Sequence, residues 1–561
     1  MADTDFIGNF LGPFGKWQLR ATFIIYLVKI PSAWFMACLI FTAKSPTPGE
    51  IFCHQPDNIS IENSVSLWIK AAHVENFNII EDEKSYDLCR IYNNSVERYL
   101  SQNFSVNGTL DKCSRYEHVI EDKYFSLIHQ FDTVCSRDWL VPLTQSFHLL
   151  GVLIGGIVAN YLLKMISPRE TMLIGMISQI FFGIATGYAP TYLLHILFRA
   201  AVAGTCSLQC IGIMILSDIT LGKYRAIVAS QFEQFWSIGL ILLPFVGGYW
   251  SSWALVYVAI TLPTFILMFL YPFIPDSPRW LIKHERIDDA LNVLLDAAKI
   301  NGINDISKEE IRHKLEMMSI ESKKEPPEPS WWNLWDGNFA FKRKLIVAHL
   351  GWSIYLMLHF AYLLHVRDMG RNYLQINTVM IGLSEIIGTL IALYLILYTT
   401  RKWMWMSLLN IVTSFVACSA VFVPYTVPPL YRIVIYMITV VIAKATVSTS
   451  LAIFITCNPE IVTKDKKRLC NYSTMTCSRT LVMVSPFIDY FVFYGQLVPQ
   501  YIMAVMNITI SLLIMTCIDT PRTIPLPKEN NDVQIYQIPV ANTAGNNMEK
   551  YSTGITGRDD N

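Results

Sequence analysis

The chain has 561 residues, of which 53% are hydrophobic and only 16% are charged. Water-soluble domains carry about a quarter charged residues, so this composition indicates a protein embedded in lipid. Lysine plus arginine and aspartate plus glutamate balance at 44 each, which argues against a nucleic-acid partner because such a partner normally requires a basic surplus.

Twelve apolar runs are long enough to cross a bilayer, which takes about 20 residues per helix. They lie near residues 21–43, 140–162, 171–188, 192–215, 227–249, 253–273, 345–366, 374–397, 403–423, 430–456, 473–495 and 498–518. Six runs precede a polar stretch and six follow it. The opening segment 1–20 is mixed polar and lacks the pattern of a cleavable signal peptide. The sequence therefore predicts an all-α membrane protein with twelve transmembrane helices in two six-helix halves, 21–273 and 345–518.

The short loops between these runs differ in charge. Those after even-numbered runs carry Lys164, Arg169, Lys223, Arg225, Arg401, Lys402, Lys464, Lys466, Lys467 and Arg468. The other short loops carry only Arg367 and Arg371. The positive-inside rule therefore predicts a multi-pass protein with cytoplasmic termini and a cytoplasmic linker at 274–344.

The long insert at 44–139 is then predicted to face outward. It holds four glycosylation sequons, at Asn58, Asn93, Asn103 and Asn107. It also holds four cysteines, Cys53, Cys89, Cys113 and Cys135. An even number of cysteines in an oxidising compartment predicts two disulfides, with three connectivities open. We therefore expect a glycosylated, disulfide-containing extracellular loop and a plasma-membrane location.

The linker and the C-terminal tail are polar in different ways. Residues 307–335 begin with interleaved Glu, Arg and Lys, which predicts a solvated helix ended by the prolines at 326–329. The tail at 519–561 is rich in Asn and Pro, which predicts a disordered cytoplasmic segment. Indole rings favour the headgroup boundary, where we expect Trp331, Trp332 and Trp335.

Several motifs narrow the fold. FIPDSPRWLIKHERIDDALNVLLDAAKING (273–302), after the sixth apolar run, resembles the P-E-S-P-R-W-L signature of the organic cation, anion and carnitine transporter family, with Asp276 in place of Glu. Further stretches that resemble this family are IPSAWFMACLIFTAKSP (30–46), FDTVCSRDWLVPLTQSFHLLGVLIGG (131–156) and CSRTLVMVSPFI (477–488). The resemblance implies the major facilitator fold and a monomeric secondary transporter that works by alternating access, without a cofactor.

Three inner loops depart from that family's pattern. Asn160 and Tyr161 stand where the family has Asp and Arg. The loop after the eighth run keeps Arg401 and Lys402 but lacks the family's aspartate and glycine, and NPEIVTKDKKR (458–468) replaces E-L-Y-P-T-x-x-R. The resemblance implies that these loops latch one end state of the cycle. Their loss leaves open a protein that no longer transports and acts as a ligand sensor or scaffold.

Several ionisable residues fall inside the predicted spans, where each costs about 2.5–3.5 kcal/mol on insertion scales. They are Lys29, Arg199, Glu233, Glu385, Lys444, Arg479 and Asp489. Arg479 is the strongest substrate-binding candidate, because its planar guanidinium fits a carboxylate, sulfate or phosphate with two parallel bonds. In the resembled family, carriers of anions and zwitterions have an arginine here and cation carriers an acid. The alternative is a buried ion pair with Glu233 or Glu385.

The remaining candidates divide by expected role. The substrate-binding set adds Lys29, Lys444, Glu233, His148, Trp236, Tyr355 and Tyr362 to Arg479. The structural or gating set, with Arg199 and Glu385 expected to pair with loop charges, is Arg199, Glu385, Asp276 and Arg279. Lys444 can also reach the interface, and its resemblance to the family's tenth-span Gly-Lys pair leaves a structural role equally open; Asp489 has the alternative of reaching water at its span's outer end.

The residues favour a transporter of small organic anions or zwitterions, with an organic cation carrier or a non-transporting binder as alternatives. The chain has no G-x-S-x-G, G-x-x-x-x-G-K-[ST] or H-E-x-x-H motif and no Cys/His cluster with zinc spacing. We therefore predict no enzymatic activity, cofactor or metal, and a lipid bilayer and a small organic ion as partners.

Overall fold

The computed structural model describes most of the chain. The described residues are 6–12, 14–44, 51–54, 65–78, 83–87, 89–104, 108–113, 116–118, 124–303, 307–323, 334–368, 373–424, 426–461, 466–495 and 497–518. Several predicted features lie outside them: Asn58, Asn107, Arg371, the prolines at 326–329, Trp331, Trp332 and the tail at 519–561.

Helices dominate the described residues. Those before the linker are α1 (Phe6–Leu11), α2 (Lys16–Leu27), α3 (Lys29–Ala37), α4 (Leu39–Thr42), α5 (Val65–Ala72), α6 (Ser95–Ser101), α7 (Leu127–Phe131), α8 (Leu140–Leu162), α9 (Pro168–Gly187), α10 (Tyr192–Gln209), α11 (Gly212–Ile219), α12 (Lys223–Gly247) and α13 (Trp253–Leu270). The linker forms α14 (Pro278–Lys283), α15 (Ile287–Asn301) and α16 (Lys308–Ser322). After it come α17 (Phe339–His365), α18 (Leu374–Tyr398), α19 (Lys402–Cys418), α20 (Pro429–Cys457), α21 (Lys467–Leu481) and α22 (Val498–Cys517).

Nine helical segments of the described residues are long and apolar enough to cross a membrane. Three of the twelve predicted spans are not among these nine segments, and they correspond to α12, α19 and α21. The helix α19 has only 17 residues, and α21 has 15. The middle of α12 carries Glu233 among other polar residues, which lowers its mean hydropathy. The all-α membrane fold is therefore observed, but the count of twelve does not follow from length and hydropathy alone.

At least three predicted spans are broken rather than continuous helices; the fourth run divides at Cys210 and Ile211, between α10 and α11. The first run divides at Val28, between α2 and α3, and again at Cys38, between α3 and α4. Proline at position 31 has no N–H to donate to the carbonyl four residues earlier, which belongs to Leu27, the last residue of α2. The eleventh run leaves α-helical geometry after Leu481 and continues as 3₁₀-helix, with Pro486 inside it.

Small residues bring α8 and α10 into close contact. A methyl group at Gly155 would collide with the backbone of Gly204, and one at Gly151 with the carbonyl of Ala200. Both glycines on α8 are buried. Glycines four residues apart on one helix face allow such a close approach.

The segment between α4 and α8 forms three two-stranded sheets. Antiparallel pairs join β1 (Ile51–Cys53) to β6 (Tyr116–His118), β2 (Val74–Asn78) to β3 (Glu83–Asp87), and β4 (Arg90–Tyr92) to β5 (Leu110–Lys112). Trp68 on α5 is fully buried in a small separate core. Of the three open connectivities, the structure pairs Cys53 with Cys113 and Cys89 with Cys135. We call the adjoining end of the helix bundle the loop end.

The linker helices pack against the start of the chain. Leu294 on α15 and Leu315 on α16 share a buried core with Trp17. The amide of Trp17 donates to the side-chain oxygen of Asn301 at 3.0 Å, and the Asn301 amide donates to Gln18. The exposed face of α16 carries pairs between residues four apart, as its charge pattern predicted. We call this the linker end of the bundle.

Candidate functional site

A cluster of charged and aromatic side chains lies where α3, α12 and α21 approach one another; we call it the inner cluster. The Lys29 ammonium contacts Oε1 of Glu233 at 2.9 Å and lies 4.6 Å from the ring centre of Phe232 and 5.7 Å from that of Trp236. Lysine is thus stabilised by one carboxylate and two aromatic faces. The Lys29 side chain is 11% exposed, whereas that of Glu233 is 46% exposed.

Arg479 completes the inner cluster from the other side of the linker. Its side chain is half-buried, and a Cβ at Gly156 would come within 2.5 Å of its Nη1. Glu233, Cys210 and Lys29 lie near enough to act on it electrostatically. Within the described ranges, Arg479 forms neither a hydrogen bond nor an ion pair, so the expected alternative of a pair with Glu233 or Glu385 does not form.

Glu385 is instead the centre of a second, fully buried group. Its Oε1 lies 2.8 Å from the ammonium of Lys444 and 3.2 Å from Nε2 of His359. Lys444 also donates to the backbone carbonyl of His359 at 2.6 Å, and Ser237 donates to Oε2 of Glu385 at 3.1 Å. Glu385 therefore pairs within the membrane-spanning helices rather than with the loop charges expected from the sequence. Lys444 is fully buried, and of its two open roles the observed contacts are structural.

The position of Arg199 also differs from the expectation. The sequence predicts a place near an inner helix end with loop charges as partners, but Arg199 is fully buried. Its guanidinium donates to the Gln145 side-chain oxygen at 2.6 Å, to Cys38 Sγ at 3.3 Å and to the Tyr257 hydroxyl. Gln145 in turn donates to the carbonyl of Met36 at 3.1 Å. Arg199 therefore joins α3, α8, α10 and α13 through polar contacts in an otherwise apolar core.

Three further candidates for substrate contact are buried in this structure. The hydroxyl of Tyr355 lies 3.0 Å from that of Ser511, which indicates a packing role. His148 is 2% exposed and Tyr362 is fully buried. Neither Nδ1 of His148 nor the hydroxyl of Tyr362 has a hydrogen-bond partner among the described residues. Of the aromatic candidates, only Trp236 reaches the inner cluster.

An apolar layer separates the inner cluster from the loop end. Its members come from helices on both sides of the linker: Met36, Leu149, Trp236, Leu356, Phe360, Val482 and Met483. The rings of Trp236 and Phe360 meet edge to face, with centroids 6.3 Å apart. Side chains from the two sides of the linker thus pack against one another in this layer.

The PDSPR motif lies at the linker end, against the end of α11. The Ser277 hydroxyl donates to Asp218 at 2.5 Å, and Nε of Arg279 lies 4.0 Å from the same carboxylate. Asp276 accepts a hydrogen bond from the amide of Ser277. Arg286, shortly after the motif, lies 3.9 Å from Glu170 at the start of α9. Through these contacts the motif and the residues that follow it attach the linker helices to the bundle.

Two polar residues that the sequence does not single out as candidates hold buried charged residues in place. Gln145 anchors Arg199, and His365 lies 2.9 Å from Asp489 and 2.9 Å from the Tyr436 hydroxyl. Asp489 is only 8% exposed, so it does not simply reach water. The position of His365 at the last residue of a long apolar helix was the available signal. Within the described ranges, no group of three or more His, Cys, Asp or Glu side chains is arranged to hold a metal ion.

Comparison with known proteins identifies relatives of this chain. The profile of a family described as "Sugar (and other) transporter" matches residues 94–532, more than half of the chain. An "Organic cation transporter-like protein" of Drosophila melanogaster is 27% identical over 412 residues, covering 70% of this chain and 68% of that protein. The human "Organic cation/carnitine transporter 2" is 23% identical over 545 residues, covering 94% and 93%.

Solved structures show the same architecture. The xylose transporter XylE from E. coli, in a partially occluded inward open conformation, superposes with a TM-score of 0.57 at 11% identity, over 90% of this chain and 100% of that one. Another structure of XylE, described as a major facilitator superfamily proton:xylose symporter, gives a TM-score of 0.54 at 11% identity, over 89% of this chain and 95% of that one. At such identity the likeness concerns the fold alone, and it confirms the predicted major facilitator architecture.

Proposed function

Because the chain belongs to the sugar (and other) transporter family, a family of secondary transporters and not of enzymes, we propose that it carries small organic zwitterions across the plasma membrane by alternating access. Two six-helix halves, 21–273 and 345–518, would rock around the inner cluster. The proposal includes twelve spans, because helices such as α12 can be polar where they face one another rather than lipid.

This proposal depends on the difference between Arg479 and the other cations within the predicted spans. Among four intramembrane cations, Lys29 pairs with Glu233, Lys444 pairs with Glu385, and Arg199 is held by neutral polar groups. Arg479 has no such partner among the described residues and remains half-buried. A guanidinium in lipid-embedded protein is stabilised by an anion or by water. A carboxylate on the solute would supply that anion and form two parallel bonds.

The rest of the inner cluster supports a solute that also carries a positive charge. The carboxylate of Glu233 is 46% exposed even though it pairs with Lys29, so it retains an accessible face. Trp236 and Phe232 supply aromatic faces of the kind that attract ammonium groups. The names of the relatives, which include an organic cation/carnitine transporter, agree with a solute that has both charges.

The topology belongs to the same proposal. We place the termini and linker in the cytoplasm and the loop end outside, which makes the disulfide-bonded segment extracellular. Asn93 and Asn103 are exposed, as glycan acceptors must be. Removal of N-glycans should increase the electrophoretic mobility of the protein from intact cells, and Asn93→Gln with Asn103→Gln should reduce that change.

Uptake measurements in cells expressing the chain test the function. The panel contains carnitine and three solutes of matched size: betaine (a zwitterion), tetramethylammonium (a cation) and pivalate (an anion). We expect uptake of the zwitterions above that of mock cells. Arg479→Gln should reduce it at least tenfold at equal surface abundance, and Arg479→Lys should reduce it less because the charge remains.

An organic cation carrier is the second candidate, favoured by the exposed carboxylate of Glu233. It would be indicated by uptake of tetramethylammonium that Arg479→Gln leaves unchanged and Glu233→Gln abolishes. If none of the four solutes is taken up, yet carnitine raises the melting temperature of the wild type more than that of Arg479→Gln, the protein is a non-transporting binder.

A further inference from the structure

A cavity lies at the loop end, on the other side of the apolar layer from the inner cluster. Its volume is about 220 Å³. Along α3 and α4 the order runs from Lys29 in the inner cluster, through Met36 in the apolar layer, to Ile40 in the cavity wall. The same order recurs along the eleventh run, from Arg479 near the end of α21, through Val482 in the apolar layer, to Pro486 in the cavity wall. We call this space the outer cavity.

The outer cavity combines an apolar wall with both signs of charge. Asp138 and Gln145 contribute from one side of the linker, and Arg367 and Asp489 from the other. Its charged groups are therefore two carboxylates and one guanidinium. A concave, mainly apolar space with a few convergent polar groups is the usual form of a small-molecule site. Its volume is below the roughly 300–1,000 Å³ typical of drug-sized ligands, so its occupant is smaller.

Two of these polar side chains are held by buried networks. Asp489 is bonded by His365, which the Tyr436 hydroxyl supports in turn, with both distances 2.9 Å. On the facing side, Gln145 is held by Arg199 and by a backbone carbonyl. In each network, strong polar contacts hold one side chain of the cavity wall in a fixed orientation. Such prior fixing lowers the conformational cost of binding.

We propose that the outer cavity is a separate encounter site for small solutes that carry an ammonium group. The ammonium is bound by the carboxylates of Asp138 and Asp489, and in a zwitterion the carboxylate is bound by Arg367. This site deepens the proposed function and rests on it, since a solute waiting there crosses the apolar layer to reach Arg479. The two sites differ in charge: the outer cavity has one more acid than base, whereas the inner cluster has one more base than acid.

Binding to the full-length protein in lipid nanodiscs tests the site. The experiment uses the Arg479→Gln variant, which lacks the proposed inner contact, with betaine, tetramethylammonium and pivalate as probes. We expect betaine and tetramethylammonium to bind at least tenfold more tightly than pivalate. Asp138→Asn should weaken both by about tenfold, and Arg367→Gln should weaken betaine while leaving tetramethylammonium unchanged.

Asp138 is the primary variant because it is half-buried and lies outside the long helices, whereas Asp489→Asn also removes a buried partner of His365. The site is overturned if Arg479→Gln binds none of the probes, if pivalate binds best, or if Asp138→Asn and Asp489→Asn both bind as the parent does. These outcomes leave uptake by the wild type untouched. Conversely, absent uptake with the expected pattern of binding would refute the proposed transport while supporting the outer site.

Discussion

Lys29 and Glu233 form an ion pair whose two partners are unequally buried: the lysine side chain is 11% exposed and the glutamate side chain 46%. The two residues lie 204 positions apart in the sequence and join α3 to α12. The cost of losing either partner therefore depends on which charge is left behind. A buried ammonium without its carboxylate is costly, whereas an exposed carboxylate is solvated by water.

This asymmetry predicts different effects of two changes that each remove one charge. Glu233→Gln leaves a buried ammonium supported mainly by aromatic rings and should destabilise the protein by about 1.5–3 kcal/mol. Lys29→Gln leaves a solvated carboxylate and should cost less than about 1 kcal/mol. Melting temperatures of the two variants in the same detergent give the comparison. Equal losses would show that the carboxylate is not solvated in the folded protein.

Breaking the buried group around Glu385 should have a larger effect. Lys444→Met leaves a carboxylate that is 3% exposed with only a histidine and a serine near it, and removal of one partner of a buried pair costs about 3–5 kcal/mol. The double variant Lys444→Met with Glu385→Gln removes both charges and should recover much of that loss. The yield of monodisperse protein after purification measures it. A double variant less stable than Lys444→Met would contradict the ion-pair account.

The sequence predicted the elements of this fold more fully than its contacts. Hydropathy summed over about 20 residues identifies a span from its own composition, so the apolar runs correspond to observed helices. The sequence predicts loop partners for Arg199 and Glu385 because no local pattern shows which helices meet. Charged residues in spans indicate places that need partners, but the structure was needed to show that, of the four cations, Arg479 alone has no such partner among the described residues.

Some local features were missed for a different reason. The break after Leu27 follows from Pro31, yet a hydropathy run does not register a lost hydrogen bond. Uncharged polar residues such as Gln145 carry no charge that demands a partner, so the sequence does not distinguish them from ordinary packing residues. The charge pattern of α16, by contrast, depends only on residues four apart, and its ion pairs agree with the prediction.

Close contact between α8 and α10 predicts that the glycines there differ in their tolerance of a methyl group. At Gly155 an added Cβ would collide with the backbone of Gly204, which cannot move away as a side chain can. Gly155→Ala should therefore destabilise the protein by about 1–3 kcal/mol. At Gly204 the nearest atom to an added Cβ is 3.3 Å away, so Gly204→Ala is the milder, matched control. The relative melting temperatures check the order; equal effects of the two changes would mean that the helices move apart freely enough to accept the methyl group.

His73 predicts a pH dependence for the segment between α4 and α8. It is 2% exposed; its Nδ1 lies 3.0 Å from the carbonyl of Arg90, and its Nε2 accepts from the amide of Cys53 at 3.3 Å. Burial lowers the pKa of His73 below its ordinary value, despite these hydrogen bonds. The neutral ring therefore stabilises the folded segment, and this stability is fully present above the unfolded pKa of about 6.5 and is lost as the pH falls below it.

Limited proteolysis of the outer segment on intact cells should therefore be faster at pH 5.5 than at pH 7.5. Protonation at Nε2 would place an N–H against the amide of Cys53, at a cost of about 1–3 kcal/mol for the unsatisfied donor. In His73→Asn, which cannot titrate, cleavage should be faster at pH 7.5 and nearly independent of pH. Lys70→Gln, at an exposed position of α5, is the matched control and should keep the pH dependence of the wild type. A wild-type segment equally resistant at both pH values would mean that His73 remains neutral throughout or that its ring contributes little to the fold.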